Sequence, residues 1–338
     1  MTATPGESMI DQAPSRDHRD GRSASPQSLD GHLDAKPLAV MAYTVLEPAL
    51  ADLEGTLGRL AELGYLGMET YGIVEHYGPT RVRQALDAAG LALTSAHTPF
   101  PAGTEAERLL DQAEELGATS LVWSLEPEEF ANAASVDHGV ERVNEAAERA
   151  AARGMRVVYH NHTAEFTQRY DGQRAYEYLQ GVLDPRVVLE LDAYWARFGG
   201  ADLAQVLDST GDRIHYIHLK DGPLRDYGND TLVPLGSPDG SIDWGHVLGH
   251  GAGLEWHIVE LEKLAGDVFE ALAQSRDFLV GSGLSRAAGP SSQGGTVKGS
   301  APRFEAAAQQ SQALPPDPSS QVGARSASAC PCTQKAEA

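Results

Sequence analysis

The chain has 338 residues, a formal net charge of −22 and only two cysteines. Such a negative charge opposes binding to phosphate backbones, because nucleic-acid binding draws on clustered Lys and Arg. The apolar runs are too short to cross a bilayer, and the first residues lack the apolar core of a secretory signal. The composition therefore predicts a soluble, cytoplasmic protein that binds neither nucleic acid nor membrane.

Composition also divides the chain into three parts. Residues 1–36 are rich in Ser, Asp, Arg and Pro, and residues 285–338 are rich in Ser, Gly, Pro, Ala and Gln. Such segments bury too little apolar surface to offset the entropy of ordering, so both are predicted to be disordered tails. Cys330 and Cys332 lie in the second tail without a nearby His, and no metal or redox role is predicted for them. Residues 37–284 have the usual size of one eight-stranded α/β barrel.

From Leu38 onward, short apolar segments alternate with amphipathic ones. Strands are predicted over residues 38–43, 67–70, 91–97, 120–124, 155–160, 187–192, 214–219 and 256–261. Helices are predicted over residues 53–63, 81–89, 105–116, 140–152, 173–181, 202–208, 243–249 and 267–280. Gly64 and Gly154 are typical of helix ends. Parallel strands need long, right-handed crossovers, so eight such units in succession predict a closed (β/α)8 TIM barrel.

A doubly wound open sheet is the structural alternative. Such a sheet would carry a Gly-rich phosphate-binding turn between its first strand and first helix, and the sequence has none there. The glycines between Gly249 and Gly253 precede a strand instead of opening a helix. We therefore interpret this segment as a loop and not as a nucleotide site.

Four predicted strands end in residue types that bind metals: His160, Asp192, His218 and Glu260. In a parallel barrel the carboxyl ends of all strands open on one face, so distant residues converge there. Buried carboxylates at Asp192 and Glu260 would each need a cation or a basic partner. Alone, His160 would be interpreted as a core histidine, but within this set it is interpreted as a ligand. The four donors predict one divalent ion such as Mn²⁺, Co²⁺, Zn²⁺ or Mg²⁺.

Five sequence motifs follow in order along the second half of the chain. They are Tyr159–Phe166 (YHNHTAEF), Leu189–Trp195 (LELDAYW) with residues 199–202, Ile217–Asp221 (IHLKD), Gly240–Trp244 (GSIDW) and Trp256–Glu260 (WHIVE). In this order they resemble the sugar phosphate isomerase/epimerase family, the xylose isomerase-like TIM barrels, and the resemblance spans residues 38–284. That family includes ketose 3-epimerases, hydroxypyruvate isomerase, inosose dehydratase and enzymes acting on 3-keto-glycosides.

The resemblance implies that Asp192, His218 and Glu260 ligate one divalent metal. Many members carry a Glu at the end of the fifth strand, where this chain has His160. In the epimerases two Glu residues exchange a proton across the two faces of the substrate, so this departure removes one of the usual carboxylates. An imidazole can ligate a metal or act as a base, and His162, on the same side of an extended strand, is the candidate for proton transfer.

Several further residues are predicted to contact the substrate. Glu69 and His97 end the second and third strands, and Trp195 offers a flat apolar wall for a sugar ring. Each has the alternative of an ordinary structural role at the barrel mouth. Lys220 is predicted to polarise a substrate carbonyl, with a salt bridge to a neighbouring carboxylate such as Glu190 as the alternative.

The sequence thus predicts a metal-dependent isomerase or epimerase that acts on a small keto or aldehyde sugar, or its phosphate, through an enediolate. Glu260 or His162 would move the proton. One alternative is a dehydratase or lyase acting on a keto-inositol or a 3-keto-glycoside, which His160 favours. Another is a non-catalytic barrel that binds a sugar or cyclitol or serves as a subunit of a larger complex. The sequence leaves open the substrate, the cellular metal and the oligomeric state, a homo-oligomer included.

Overall fold

The computed structural model describes residues 35–225 and 232–289. Its strands are β1 (Lys36–Met41), β2 (Gly67–Thr70), β3 (Ala92–His97), β4 (Ser120–Trp123), β5 (Arg156–His160), β6 (Arg169–Tyr170), β7 (Gln173–Arg174), β8 (Val188–Asp192), β9 (Ile214–Leu219), β10 (Trp256–Val259) and β11 (Ser285–Arg286). Its α-helices are α1 (Leu46–Ala51), α2 (Leu53–Glu62), α3 (Ile73–Tyr77), α4 (Pro79–Ala89), α5 (Ala106–Leu116), α6 (Ala133–Ala152), α7 (Ala164–Thr167), α8 (Ala175–Val182), α9 (Ala193–Phe198), α10 (Leu203–Thr210), α11 (Trp244–Leu248) and α12 (Val268–Gly281).

The long strands form one parallel barrel in the order β1, β2, β3, β4, β5, β8, β9 and β10. The barrel closes where β10 returns to β1, with Leu38 opposite His257 and Val40 opposite Val259. Strands β6 and β7 form a small hairpin between β5 and β8. This closure confirms the predicted TIM barrel and rules out the open sheet, in which the first and last strands would be unpaired edges.

The central strands are buried on both faces, which explains why their sequences are nearly continuous apolar runs. Leu38, Ala39 and Val40 of β1 are fully buried, as are Ile258 and Val259 of β10. Amphipathic helices cover the outside of the barrel and complete a single large core. The carboxyl ends of the strands are left open as the barrel mouth.

The helix boundaries differ most from prediction at α6, which begins at Ala133 and not at residue 140. Asn132 caps this helix by accepting a hydrogen bond from the Ser135 backbone nitrogen at 3.0 Å. The first turns are short of apolar residues, so periodicity alone missed them. Gly64 and Gly154 follow the ends of α2 and α6 with φ angles of +91° and +73°, in the left-handed region that favours glycine.

Four short helices, α1, α3, α7 and α9, were not predicted. Each has only four to six residues, which is too few to show a helical period in the sequence. Helices α7 and α9 come directly after barrel strands β5 and β8. They therefore build the rim of the mouth.

The predicted tails fall mostly outside the described residues, and Cys330 and Cys332 lie outside them altogether. At the described ends, Lys36 pairs with Ser285 in a parallel register, and the Ala288 backbone nitrogen donates to the Gly64 carbonyl at 2.9 Å. Across residues 35–225 and 232–289, each helix is too short or too polar to span a membrane.

Candidate functional site

His218, at the end of β9, is the centre of a buried cluster of carboxylates. Its Nδ1 lies 2.7 Å from Glu260 Oε2 and 4.0 Å from Asp192 Oδ2. Its Nε2 lies 2.9 Å from Glu69 Oε1 and 2.7 Å from Glu190 Oε1. Burial alone would lower the pKa of His218, but these carboxylates, Glu190 first, raise it well above its usual value. Each ring nitrogen thus faces its own pair of acids.

The first donor group lies on the Nδ1 side. Asp192, His218 and Glu260 offer ligand atoms that all lie within 4.8 Å of one another. The Oδ1 of Asp192 caps α9 by accepting from the Trp195 nitrogen at 2.8 Å, while Oδ2 forms an ion pair with Lys220. Asn161 fixes the Asp192 backbone with two hydrogen bonds, of 3.0 and 3.2 Å. The structure therefore brings together three of the four predicted ligands.

Lys220 is fully buried beside this group. Its Nζ lies 2.9 Å from Asp192 Oδ2, 2.9 Å from Glu260 Oε2 and 3.0 Å from Glu262 Oε2. Burial favours a neutral acid, but Lys220 and His218 hold the pKa of Glu260 far below its usual value. The ammonium is held among acids, which matches the salt-bridge alternative for Lys220, although with partners other than Glu190.

The fourth predicted ligand, His160, belongs to a second donor group on the other side of His218. His97, His160, Glu190 and His218 offer ligand atoms within 4.8 Å of one another. The Nδ1 of His160 lies 3.4 Å from Glu190 Oε1. The four strand-end donors thus divide between two groups that share His218.

Glu69 lies below the mouth as a hydrogen-bond acceptor. It is fully buried and accepts from the Ser95 hydroxyl, and its Oε1 lies 2.9 Å from His97 Nε2. Burial raises the pKa of Glu69, but His97 and His218 outweigh this and lower it well below its usual value. Glu69 is placed to orient two histidines, and His97 lies between it and the mouth.

The mouth holds a cavity where the predicted residues meet. Its lining is Met41, Tyr43, Tyr71, His97, His160, His162, His218 and Glu260. The rings of Tyr43 and Tyr71 pack edge to face, with centroids 5.1 Å apart. Trp195 lies outside this lining, in a buried cluster with Tyr194 and Leu232, and its ring centroid is 6.5 Å from that of His162.

Sequence reasoning missed Glu165, the one acid of the YHNHTAEF motif. Its buried carboxylate accepts from the His162 backbone nitrogen at 3.0 Å and from the Tyr159 hydroxyl at 2.8 Å. Burial raises its pKa. The spacing from His162, three residues, is the signal of a capping interaction that could have identified it. Glu262 was also missed, although it shares strand parity with Glu260.

The donor set fits a divalent cation. Five carboxylate side chains surround the centre, those of Glu69, Glu190, Asp192, Glu260 and Glu262, against the ammonium of Lys220 and the imidazole of His218, whose pKa is raised. Buried carboxylates need compensating positive charge. Glu190 Oε2 and His160 Nδ1 have no hydrogen-bond partner within the described residues. Mixed nitrogen and oxygen donors of this kind suit Mn²⁺, Co²⁺ or Zn²⁺.

Several solved structures share the fold of this chain. A sugar phosphate isomerase/epimerase from Parabacteroides distasonis is 23% identical, with a TM-score of 0.61, and the match covers 75% of this chain and 96% of that chain. A D-allulose 3-epimerase from Methylomonas sp., solved with D-allulose, is 16% identical, with a TM-score of 0.56 and coverage of 73% and 97%. A probable 3-DHS dehydratase, AsbF, from Bacillus anthracis is 16% identical, with a TM-score of 0.56 and coverage of 72% and 98%.

No curated protein sequence matches the chain. At these identities the solved structures show the fold alone. The sequence model of the xylose isomerase-like TIM barrels, however, matches residues 57–262, which include every strand-end donor described above. With its closed barrel and the donors gathered at the mouth, the chain belongs to the xylose isomerase-like TIM barrel family.

Proposed function

We propose that this protein is a divalent-metal-dependent sugar isomerase or epimerase that acts on a small keto or aldehyde sugar, or its phosphate. The observation that carries the proposal is the buried group of Asp192, His218 and Glu260 beside a cavity lined by three further histidines. The solved epimerase that binds D-allulose supports a sugar as the substrate.

Asp192, His218 and Glu260 would hold the metal ion. When bound, such an ion draws electron density from adjacent carbonyl and hydroxyl oxygens, which acidifies the carbon-bound proton between them and stabilises the enediolate. Lys220 would hold the carboxylates of Asp192 and Glu260 in place, because its ammonium contacts both at 2.9 Å. Asn161 would fix the angle at which Asp192 enters the site.

His162 is the better candidate for moving the proton. Glu260 is held by Lys220 and His218, which lower its pKa, and a carboxylate so stabilised is a weak base. His162 lines the cavity at the end of β5, and Glu165 fixes its backbone through the hydrogen bond to its nitrogen. An imidazole exchanges protons near neutral pH, which suits both removal and return of the substrate proton.

The test is a screen of keto sugars and keto-inositols with the Mn²⁺-loaded protein in D₂O, read by NMR. We expect one substrate class to exchange a carbon-bound proton for deuterium and to form an isomer or epimer. His162→Gln should slow the exchange on the order of 10²-fold. If no substrate exchanges while calorimetry detects sugar binding, the isomerase proposal is wrong and the protein is a sugar-binding barrel.

A dehydratase or lyase is the second candidate, and His160 is the observation that favours it. With His160 in place of the family's Glu, a two-carboxylate exchange across both faces of the substrate lacks one partner. Proton removal from one face followed by loss of a β-leaving group needs only one base. The same screen separates the two, because elimination gives an unsaturated product or a released aglycone.

A further inference from the structure

Lys220 shares two carboxylate partners with the proposed metal site. Its Nζ lies 2.9 Å from Asp192 Oδ2 and 2.9 Å from Glu260 Oε2, on the same side chains that would ligate the ion. We propose that Lys220 competes with the metal ion for these two carboxylates and that Glu262 controls how strongly it competes. The inference rests on the metal site of the proposed function, but it concerns the affinity for the ion and not the sugar reaction.

The shared oxygens bring the ammonium and a bound ion close together. An ion about 2.1 Å from Asp192 Oδ2 would lie within about 5 Å of Lys220 Nζ, because both contact the same oxygen. Lys220 is fully buried, so little water lies between the two positive charges to screen them. Their repulsion at this distance is strong in a site of low dielectric. Binding of the ion therefore favours a shift of the ammonium away from Asp192 and Glu260.

Before an ion binds, Lys220 compensates the charge of the two carboxylates. The side chains of Asp192 and Glu260 are almost completely buried, and such groups need a positive partner. Contacts of 2.9 Å between an ammonium and a carboxylate are charge-assisted hydrogen bonds. Lys220 thus keeps both oxygens close to one cation, and an entering ion replaces the ammonium as that cation.

Glu262 gives the ammonium a third acceptor, outside the proposed ligands. Its Oε2 lies 3.0 Å and its Oε1 3.1 Å from Lys220 Nζ, and its side chain is only 1% exposed. An ammonium has three donors, and Asp192, Glu260 and Glu262 offer one carboxylate for each. Lys220 can therefore keep Glu262 as its partner when an ion takes the other two carboxylates.

Trp195 supports the ammonium on the same terms. Lys220 Nζ lies over the indole ring, 5.4 Å from its centroid, which is within the range of a cation–π interaction. The face of an indole ring attracts a positive charge, and it is no ligand for a hard divalent ion. Glu262 and Trp195 together give Lys220 two partners that a metal ion does not take from it.

The test measures the Kd for Mn²⁺ in two variants that should change it in opposite directions. The chelator-treated full chain is titrated with Mn²⁺ by isothermal titration calorimetry. Lys220→Met should bind about tenfold more tightly than the wild type, because the competing charge is gone. Glu262→Gln should bind about tenfold more weakly, because the ammonium then has only Asp192 and Glu260 as carboxylate partners. A merely structural role would weaken binding in both variants, and weaker binding by Lys220→Met would overturn the proposal.

Two further variants serve as controls. Glu255→Gln makes the same change as Glu262→Gln at the opposite end of the barrel, and it should keep the wild-type Kd. Lys220→Met alone leaves the charge of Glu262 buried, so the double variant Lys220→Met/Glu262→Gln removes both charges of the pair and protects against misfolding. The double variant should also bind Mn²⁺ more tightly than the wild type. An equal or weaker affinity would contradict competition by Lys220.

Thermal unfolding gives a second readout. Mn²⁺ should raise the Tm of Lys220→Met by more than that of the wild type, because tighter binding to the folded state stabilises it more. Equal rises would contradict the proposal.

The same data separate this inference from the proposed function. If Lys220→Met binds Mn²⁺ and the wild type does not, metal-dependent catalysis is wrong and competition by Lys220 is supported. If the wild type binds Mn²⁺ and Lys220→Met binds it less tightly, the reverse holds. If neither protein binds Mn²⁺, both proposals are wrong.

Discussion

Two polar clusters lie in this barrel, one at each end of its strands. At the amino ends, Arg156 donates to Ser120 Oγ at 3.0 Å, to Tyr216 OH at 2.5 Å and to both oxygens of Glu255. His215 contacts the same Glu255 at 2.6 Å, so each of the five side chains has a hydrogen-bond partner. The carboxyl ends differ, because there Glu190 Oε2 and His160 Nδ1 have no hydrogen-bond partner among the described residues.

The difference indicates what each end is for. A polar cluster whose members satisfy one another stabilises the fold, while buried groups left without partners are tolerated where a ligand completes them. The same division between a stabilising amino end and a functional carboxyl end is general in TIM barrels. Unpaired polar atoms at the mouth are therefore more informative about function than the polar residues themselves.

The largest expected difference between the two clusters appears when one carboxylate charge is removed at each end. Glu260→Gln should lower kcat on the order of 10³-fold, because it removes a metal ligand, and metal content should fall. Glu255→Gln is its matched control at the opposite end. Its kcat should match that of the wild type while its melting temperature falls. Equal kcat values for the two variants would show that the mouth is not the active site.

The next effect concerns proton transfer at β5. His162→Ala should lower kcat on the order of 10²-fold and keep the metal, because His162 belongs to neither donor group. His160→Glu should keep metal with a shift toward harder ions, since oxygen replaces nitrogen. His160→Ala gives the contrast, and the pH–rate profiles of all three variants decide the roles. Wild-type rates in both Ala variants would reject a catalytic role for this motif.

A smaller effect, on stability alone, is expected at the amino end. Arg156→Met should lower the free energy of unfolding by about 1–2 kcal/mol, because the cluster loses its central donor but is partly open to solvent. Urea unfolding of the wild type and the variant gives the value, and metal content serves as the control. A variant that loses metal would show that the two ends are coupled.

The smallest expected effect is on the pH dependence of the free energy of unfolding, and it comes from one of two buried histidines. Nearby carboxylates raise the pKa of His218, whereas burial and then Lys36 lower the pKa of His257 to about 3. The unfolded chain binds a proton at His257 below about pH 6.5 and the folded chain does not, so stability is lost as the pH falls. Between pH 7.5 and 5.5 the wild type should lose about 1.4 kcal/mol more than His257→Asn, measured by urea unfolding. Parallel losses would assign the acid sensitivity to other groups.

The barrel and the first donor group could be predicted from the sequence because they depend on simple rules. Asp192, His218 and Glu260 each follow an apolar run, and parallel strands bring such positions to one face. The grouping of His160 with Glu190 could not be predicted. Alternation along β8 places Glu190 and Asp192 on the same face, but it does not show which ring nitrogen of His218 each carboxylate meets.

Short elements and local hydrogen bonds limited the prediction in a different way. Helices α7 and α9 are too short to show a period, yet they carry Glu165 and Trp195. In the sequence, Glu165 resembles any solvated acid. Its structural role is visible only in the hydrogen bond that its carboxylate accepts from the His162 backbone nitrogen. Trp195 packs with its sequence neighbour Tyr194 and with Leu232, which is distant in the sequence, and its contact with a sugar stays a prediction.

The pairing of Lys36 with Ser285 has a practical consequence for handling the protein. Both described ends of the chain leave the barrel beside the amino ends of its strands, since β1 and β11 run parallel there. The mouth lies at the other pole, at the carboxyl ends of the same strands. A solid support or a fused partner attached next to Lys36 or Ala288 would thus lie at the amino ends of the strands. The mouth, at the carboxyl ends, would stay accessible to small molecules from solution.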